Sequence, residues 1–169
     1  MYYDSNEEEQ FHDWLKEAER FGLVKNIEHH PEPFILSDKK TIKVKKILKT
    51  KTKIVNKFLL HPHIYTTDFS FIISPLLEEY FIIKSGLCFV DVKGGFSKFN
   101  DAKQFSINQK WVYSDYGIYI NKVVPEKLFT KTFLPEDCRL TPVQKKLVKK
   151  YIGCKNIKEF MIQEGLRDT

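Results

Sequence analysis

The sequence predicts a mixed α/β fold in which a central mixed sheet is flanked by helices and carries a basic, β-rich insertion. An amphipathic helix near the start, aromatic and β-branched strand patterns from residue 64 onward, and a second helix followed by another strand together predict this class. With 169 residues the chain is long enough for one packed core and short for two, so we expect a single domain over 1–169. A composition of 42% hydrophobic and 14% aromatic residues excludes a disordered or low-complexity chain.

The first helix is predicted from its start and stop signals. Ser5 is the expected N-cap, Glu8 follows at the capping-box position, and Gly22 ends the run. This segment should form an amphipathic helix with one buried face, because its apolar residues recur at helical spacing: Phe11, Trp14, Leu15, Ala18 and Phe21.

The rest of the chain divides at turns that contain Gly, Pro or Ser. Residues 23–36 are interrupted by Pro31 and Pro33, which predicts an irregular or edge strand. Further strands are expected at 64–73, 80–83, 87–93 and 117–124, with helices at 100–113 and in a C-terminal helical segment of about 141–165 that breaks at Gly153.

The positive charge is concentrated in one segment. Nine lysines and no acidic residue lie between Lys39 and Lys57, and subtracting them from the net charge of +6 leaves −3 for the remainder. A near-neutral body with one strongly basic segment favours a polyanionic partner, DNA or RNA before a membrane. Only three of the 28 basic residues are arginine, which favours contact with the phosphate backbone over base reading.

Alternating apolar residues in this basic segment predict a long exposed hairpin or arm, an insertion over about 38–62. A solvated loop without a ligand is the alternative interpretation. The candidate nucleic-acid contacts are Lys43, Lys45, Lys46, Lys49, Lys51 and Lys53.

Several other classes of protein fit poorly. No apolar run approaches the roughly 20 residues needed to span a bilayer, and the acidic start is unlike a signal peptide, so a cytoplasmic protein is expected. No serine nucleophile elbow or glycine-rich phosphate loop is present. The motifs His29-His30 and His61-Pro62-His63 have no further ligand at zinc-site spacing, and we interpret them as loop histidines or phosphate contacts.

Two acidic motifs carry the strongest chemical signal. Asp68 lies in one predicted strand, and Asp91 and Lys93 lie on one face at the end of another. Carboxylates from neighbouring strands can hold Mg²⁺ or Mn²⁺, and a lysine beside them can orient the attacking water in phosphodiester hydrolysis. An Asp-x-Lys triplet also occurs by chance on exposed strands, which is the structural alternative.

These motifs resemble those of the PD-(D/E)xK nuclease superfamily, and within it small phage-encoded endonucleases such as Holliday-junction resolvases of the endonuclease I type. The resemblance extends in order and spacing from Asp4 to Pro135. It is specific at three strings: Asp4-Ser5-Asn6-Glu7-Glu8, Tyr65-Thr66-Thr67-Asp68-Phe69 and Val90-Asp91-Val92-Lys93-Gly94. At the position of the proline in the superfamily's motif this chain has Thr67. At the position where the motif allows Asp or Glu it has Asp91.

The resemblance implies a restriction-endonuclease-like core and a defined site. Asp68, Asp91 and the backbone carbonyl of Val92 would be metal ligands, and Lys93 would activate water. The helix acid falls best on Glu8, which its capping role would equally explain. Glu7 or Glu9 replaces it if the helix phase differs.

The resemblance also suggests accessory residues on the segment that follows. Gln109 or Lys110 would contact water at the metal or the phosphate, with a solvated helix face as the alternative interpretation.

The function expected on these grounds is a Mg²⁺-dependent DNA endonuclease that acts on branched DNA in phage recombination, repair or packaging. It would work in the host cytoplasm, without a membrane, and as a homodimer because two symmetric cuts need two sites. The alternatives are a non-catalytic nucleic-acid-binding protein and a virion-associated protein that retains the fold.

Overall fold

The structure, a computed structural model, describes residues 3–94, 99–141 and 146–167, without the side chains of 99–101, 166 and 167. The helices are α1 (Asn6–Arg20), α2 (Phe99–Tyr116), α3 (Pro125–Lys131) and α4 (Ile157–Arg167). The strands are β1 (Val24–His29), β2 (Phe34–Ser37), β3 (Lys40–Ile47), β4 (Thr52–Leu60), β5 (His63–Tyr65), β6 (Phe69–Ile73), β7 (Leu87–Val92) and β8 (Ile120–Val123). Short 3₁₀ helices span Pro75–Tyr80, Glu136–Cys138 and Lys149–Tyr151.

The chain divides into two compact units. The first comprises Met1–Pro31 and Thr67–Thr169, and the second is Glu32–Thr66. The expected insertion, 38–62, lies inside the second unit, which also contains β2 and β5. This division has a simple cause, since β2 pairs with β5 and β3 pairs with β4, and neither pair joins the larger sheet.

The first unit is built on a four-stranded mixed sheet in the order β1-β6-β7-β8. The first three strands are antiparallel, and β8 runs parallel to β7. A parallel neighbour needs a crossover connection, and α2 supplies it. The predicted class, a mixed sheet flanked by helices, is confirmed.

Helix α1 begins as predicted. The Glu8 amide donates to Ser5 Oγ at 3.2 Å, and Glu8 Oε2 accepts from the Asp4 amide at 3.1 Å, so the cap is reciprocal. Gly22, with φ of 74°, ends the helix in a conformation that suits glycine.

The apolar face of α1 packs against the sheet and the C-terminal part of the first unit. Phe11 meets Phe69 edge-on, with centroids 5.4 Å apart, and Trp14 stacks on Phe133 at 5.1 Å. The Trp14 indole N–H, fully buried, donates to Thr132 Oγ1 at 3.1 Å. Aromatic packing therefore holds the helix to the sheet, and one buried hydrogen bond ties it to the end of α3.

The second unit confirms the predicted exposed hairpin. Strands β3 and β4 pair antiparallel in continuous register from Thr41↔Phe58 to Ile47↔Thr52. One irregularity lies beside Thr41, at the end of the hairpin away from the turn. The turn is closed by a hydrogen bond from the Leu48 amide to the Lys51 carbonyl.

The predicted strand at 80–83 is wrong. The segment completes the 3₁₀ helix Pro75–Tyr80 and then continues without strand structure. A side chain supplies the hydrogen bonds that a strand partner would provide. Asn121 Oδ1 accepts from the Ile82 amide at 2.9 Å, and Asn121 Nδ2 donates to the Ile82 carbonyl at 2.8 Å.

The C-terminal helical segment predicted at about 141–165 is also corrected. The helix begins only at Ile157, after Gly153 with φ of 89°, and residues 142–145 lie outside the described residues. Its start is a capping box that the prediction missed, since Asn156 Oδ1 accepts from the Glu159 amide and Glu159 Oε2 accepts from the Asn156 amide, both at 2.9 Å.

Two further boundaries differ around β8. Helix α2 continues to Tyr116 and ends at Gly117, whose φ is 62°, so β8 starts at Ile120 rather than at 117. Helix α3 was not predicted, although Pro125 at its first turn is a recognised start signal.

The Trp14–Thr132 hydrogen bond gives a direct test of the fold. Thr132→Val removes the acceptor and leaves the buried indole N–H unpaired, so we expect the free energy of unfolding to fall by about 1–3 kcal/mol. Thr130→Val, an exposed position in α3, is the matched control and should change it by less than about 0.5 kcal/mol. Urea denaturation measures both, and equal effects would contradict this account of the core.

Candidate active site

The register of β6 and β7 brings the two predicted acids together. Phe69 pairs with Val90, so Asp68, one residue before, lies opposite Asp91, one residue after. The Asp68 amide donates to the Val90 carbonyl at 3.0 Å, which extends the pairing to the acid itself. Both carboxylates therefore lie at one corner of the sheet, which we call the acidic corner: Asp68, Asp91, Lys93 and the nearby helix acids.

Backbone contacts on both sides hold Asp68 in place. Its Oδ2 accepts from the Val92 amide at 2.6 Å, and its carbonyl accepts from the His30 amide at 2.9 Å. Burial, the charge of Asp91 and then that of Glu8 raise the pKa of Asp68 to about 7, although the Val92 amide acts in the opposite direction. The raised pKa follows first from the burial of the carboxyl group and then from the neighbouring acids, which act against the Val92 amide and the Lys93 charge.

Asp91 is almost fully buried, with 4% of its surface exposed, and it forms an ion pair with the Lys93 ammonium. The Lys93 amide donates to the Val123 carbonyl at 2.8 Å, which continues the parallel pairing of β7 with β8. Val92 presents its amide to Asp68, and the expected role of its carbonyl as a metal ligand stays a prediction. The corner thus holds the expected lysine directly on the second acid.

The start of α1 brings two glutamates to the acidic corner. Glu8 is 6% exposed, it caps the helix, and its charge raises the pKa of Asp68, while its role as a metal ligand stays a prediction. Glu7 Oε1 lies 3.0 Å from the position that a Cβ on Gly94 would occupy, next to the Asp-x-Lys segment. Glu9 is exposed. Burial raises the pKa of Cys138 to about 12, and Glu9 is one of several acids that add to this effect. Glu7 and Glu8 therefore border the corner, and Glu9 lies toward Cys138.

The donor set of the corner fits a hard divalent cation. Two strand carboxylates and two neighbouring helix carboxylates offer oxygen ligands only, which Mg²⁺ and Mn²⁺ prefer. The charge of one lysine does not balance that of four carboxylates, and a divalent ion would offset part of the remaining negative charge.

A basic cleft of about 440 Å³ opens on the first unit at the end of β7. Gly94 is part of its lining, and so are three exposed lysines, Lys122, Lys127 and Lys131. Lys122 is the register partner of Asp91 on β8. The sequence-based prediction missed these lysines because it weighed only the dense run at 39–57. The i, i+4 spacing of Lys127 and Lys131, which puts both on one helix face, was the available signal.

The accessory residues have other surroundings than expected. Gln109 Nε2 donates to the Ile120 carbonyl at 2.6 Å and so ties α2 to β8. Lys110 is exposed on the same helix. The proposed contact of either residue with water or phosphate stays a prediction.

All six predicted nucleic-acid contacts are exposed on the hairpin of the second unit: Lys43, Lys45, Lys46, Lys49, Lys51 and Lys53. Lys46 and Lys53 are direct cross-strand partners. Like charges placed opposite each other destabilise a hairpin unless a counter-charge lies between them.

Comparison of the chain with protein-family models, curated proteins and solved structures found no match. Among the described residues, no helix combines the length and the apolar composition needed to cross a bilayer.

The raised pKa of Asp68 predicts a pH effect in the absence of divalent metal. Folded Asp68 titrates at about 7, above the ordinary value of 3.8, so between these pH values the folded state binds more protons and loses stability as the pH rises. Asp68→Asn removes this loss. The stability of the variant relative to wild type should therefore increase by on the order of 1–2 kcal/mol from pH 5 to pH 8.

Urea denaturation in EDTA at the two pH values measures this difference, and the subtraction cancels the titration of the histidines. Asp115→Asn, at an exposed position of α2, is the matched control and should show no such change. A difference for Asp68→Asn that is independent of pH would contradict the electrostatic account of the corner.

Proposed function

We propose that this chain is a Mg²⁺-dependent DNA endonuclease with a restriction-endonuclease-like core, acting on branched DNA. The observation that carries the proposal is the convergence of Asp68, Asp91 and Lys93 at one corner of the sheet. The start of α1 adds the helix acid there. A protein that only binds DNA has no need for two neighbouring acids at which burial, and then the charge of the second acid, raise the pKa of the first.

The order of the elements supports the same proposal. An acid-bearing helix comes first, Asp68 then precedes β6, and Asp91-Val92-Lys93 ends β7. This is the layout that the resemblance to PD-(D/E)xK nucleases implies.

The residues of the corner can be given roles. Asp68 and Asp91 would hold the metal, with Glu8 and Glu7 bordering it. A bound divalent cation supplies charge neutralisation at the scissile phosphate and lowers the pKa of water. Lys93, held at Asp91, orients the attacking water and offsets the charge that grows on the phosphate oxygens.

Two basic surfaces, one on each unit, are suited to the DNA backbone. The cleft lysines Lys122, Lys127 and Lys131 are suited to phosphates that flank the cleaved one. The hairpin lysines are suited to duplex phosphates, and few arginines are available for base reading. Because base reading has few donors, we expect the protein to recognise the shape of DNA rather than its sequence. This mode of recognition favours branched substrates.

Substitutions at the corner test the catalytic assignment. Asp91→Asn removes a ligand charge, and Lys93→Ala removes the group that acts on water, so each should slow cleavage of a labelled four-way junction at least about 100-fold in Mg²⁺. Lys93→Ala should keep its DNA affinity in Ca²⁺, because the proposed role of the lysine is to orient the attacking water and not to bind the DNA. Lys103→Ala, an exposed lysine of α2, is the matched control. Wild-type rates in Asp91→Asn would show that the site assignment is wrong.

The hairpin makes a separate prediction about binding. The double variant Lys46→Gln/Lys53→Gln should bind duplex DNA more weakly, and the slope of log K against log salt should shrink by about 1.8, because two phosphate contacts are lost. Its stability should not fall, since a like-charge pair is removed. Fluorescence anisotropy across a salt series measures the slope, with Lys103→Gln/Lys158→Gln as control. An unchanged slope would exclude these lysines from the interface.

A non-catalytic nucleic-acid-binding protein is the second candidate function. The observation that favours it is the lysine hairpin, which belongs to a compact unit of its own. Tight DNA binding without cleavage in Mg²⁺ or Mn²⁺ would support this alternative.

A further inference from the structure

Glu8, His29 and His30 form a second group of ligand-bearing side chains on the first unit. One ring nitrogen of each histidine and one carboxylate oxygen of Glu8 lie within 4.8 Å of one another. Glu8 belongs to the first turn of α1, and the histidines end β1. The sequence did not indicate the group because the third ligand comes from another element, outside the usual spacing of zinc motifs.

The backbone at His30 is what brings the two histidines together. Consecutive residues of a strand project to opposite faces. His30 has φ of 51°, in the left-handed region, and its ring stacks on that of His29 with centroids 3.9 Å apart. The hydrogen bond from the His30 amide to the Asp68 carbonyl holds this conformation. A residue with a side chain adopts this region at a cost, so the surrounding structure maintains the paired imidazoles against local strain.

His29 contributes a nitrogen that lacks a partner. Its Nε2 is buried and has no hydrogen-bond partner among the residues that the structure describes. The ring contacts Phe69, with centroids 4.9 Å apart, and Tyr3, at 5.7 Å, so its orientation is fixed by packing. A buried, unpaired imidazole nitrogen is unfavourable, and a ligand that binds it removes the penalty.

We propose that Glu8, His29 and His30 bind a transition-metal ion of the zinc class, at a site separate from Asp68 and Asp91. Two imidazoles and one carboxylate suit Zn²⁺ and its neighbours, whereas Mg²⁺ prefers oxygen donors. Zinc–nitrogen bonds of about 2.0–2.1 Å place tetrahedral ligands roughly 3.4 Å apart, so the exposed His30 ring would rotate toward the packed His29 ring and Glu8 to close this group around an ion. Three protein ligands leave one coordination position open.

The ion would link two parts of the first unit. It joins the end of β1 to the start of α1, and the His30–Asp68 hydrogen bond extends its influence to the backbone of Asp68. Glu8 borders both the acidic corner and the histidine pair. If Glu8 binds zinc, Glu7 remains beside Gly94 as the helix acid of the acidic corner. The proposal does not depend on nuclease activity, because it uses neither Asp68 nor Asp91.

Calorimetric titration of the full chain with Zn²⁺ tests the site, together with the visible absorption of added Co²⁺ as a report of imidazole ligation. Wild type should bind one zinc ion per chain at this site. His30→Gly removes one ligand and suits the positive φ, so it should fold normally and bind zinc at least about tenfold more weakly. His61→Gly, an exposed histidine of the second unit, is the matched control and should keep wild-type affinity.

Asp68→Asn separates this site from the acidic corner. It should retain zinc affinity while losing DNA cleavage, so the two proposals can fail independently. The zinc site would be overturned by equal zinc affinity in wild type and His30→Gly, or by a wild type that binds no zinc. Zinc binding that is lost in Asp68→Asn and kept in His30→Gly would also overturn it, because the ion would then lie on the acids.

Discussion

The pairing of β6 with β7 is the constraint on which the candidate site depends. Because Phe69 lies opposite Val90, Asp68 and Asp91 are forced to the same corner, and a shift of one residue would turn every side chain of the shifted strand to the opposite face of the sheet. The buried side chains Phe69, Phe71 and Val90 fix this register, since slippage would expose them. Aromatic packing of α1 on the sheet then brings the helix acids to the same corner. Hydrophobic burial thus enforces a cluster of like charges that would otherwise separate.

The distribution of charge on the first unit follows from this corner. Carboxylates gather at the end of β7, and the lysines of the cleft begin with Lys122 on the adjacent strand. An acidic centre with cations beside it is what the proposed function requires, because a metal would bind the acids and the lysines would bind the neighbouring phosphates. On the second unit, the lysines are exposed along both strands of the hairpin and face one another across it at Lys46 and Lys53. Like charges placed opposite each other weaken the pairing of the two strands.

Local signals made much of this structure predictable from the sequence. The cap at Ser5, the stop at Gly22, the alternation in the lysine segment and the strand that ends near Asp91 all correspond to local chemistry that the fold retains. The single strand predicted over 64–73 is instead divided into β5 and β6, with Asp68 between them. The failures share a different cause. The 80–83 segment has the composition of a strand, but Asn121, distant in sequence, satisfies its backbone. The Glu8–His29–His30 group likewise depends on a left-handed residue and on packing between elements. Interactions between distant residues leave no local pattern, so composition and spacing could not reveal them.

We propose that the acidic corner binds a divalent cation. The thermal stability of the protein in Mg²⁺ is a direct test of that binding. An ion that binds only the folded state stabilises it by RT ln(1 + L/Kd), where L is the free ion concentration, so the melting temperature rises as the ion concentration increases. The unfolding of wild type and Asp91→Asn should therefore be followed at pH 7.5 across a Mg²⁺ series, with an equal ionic strength of K⁺ as reference. The account predicts that the melting temperature of wild type rises with Mg²⁺ and that of Asp91→Asn does not. Equal responses of the two proteins would contradict it, because the buried acid would then take no part in binding the ion.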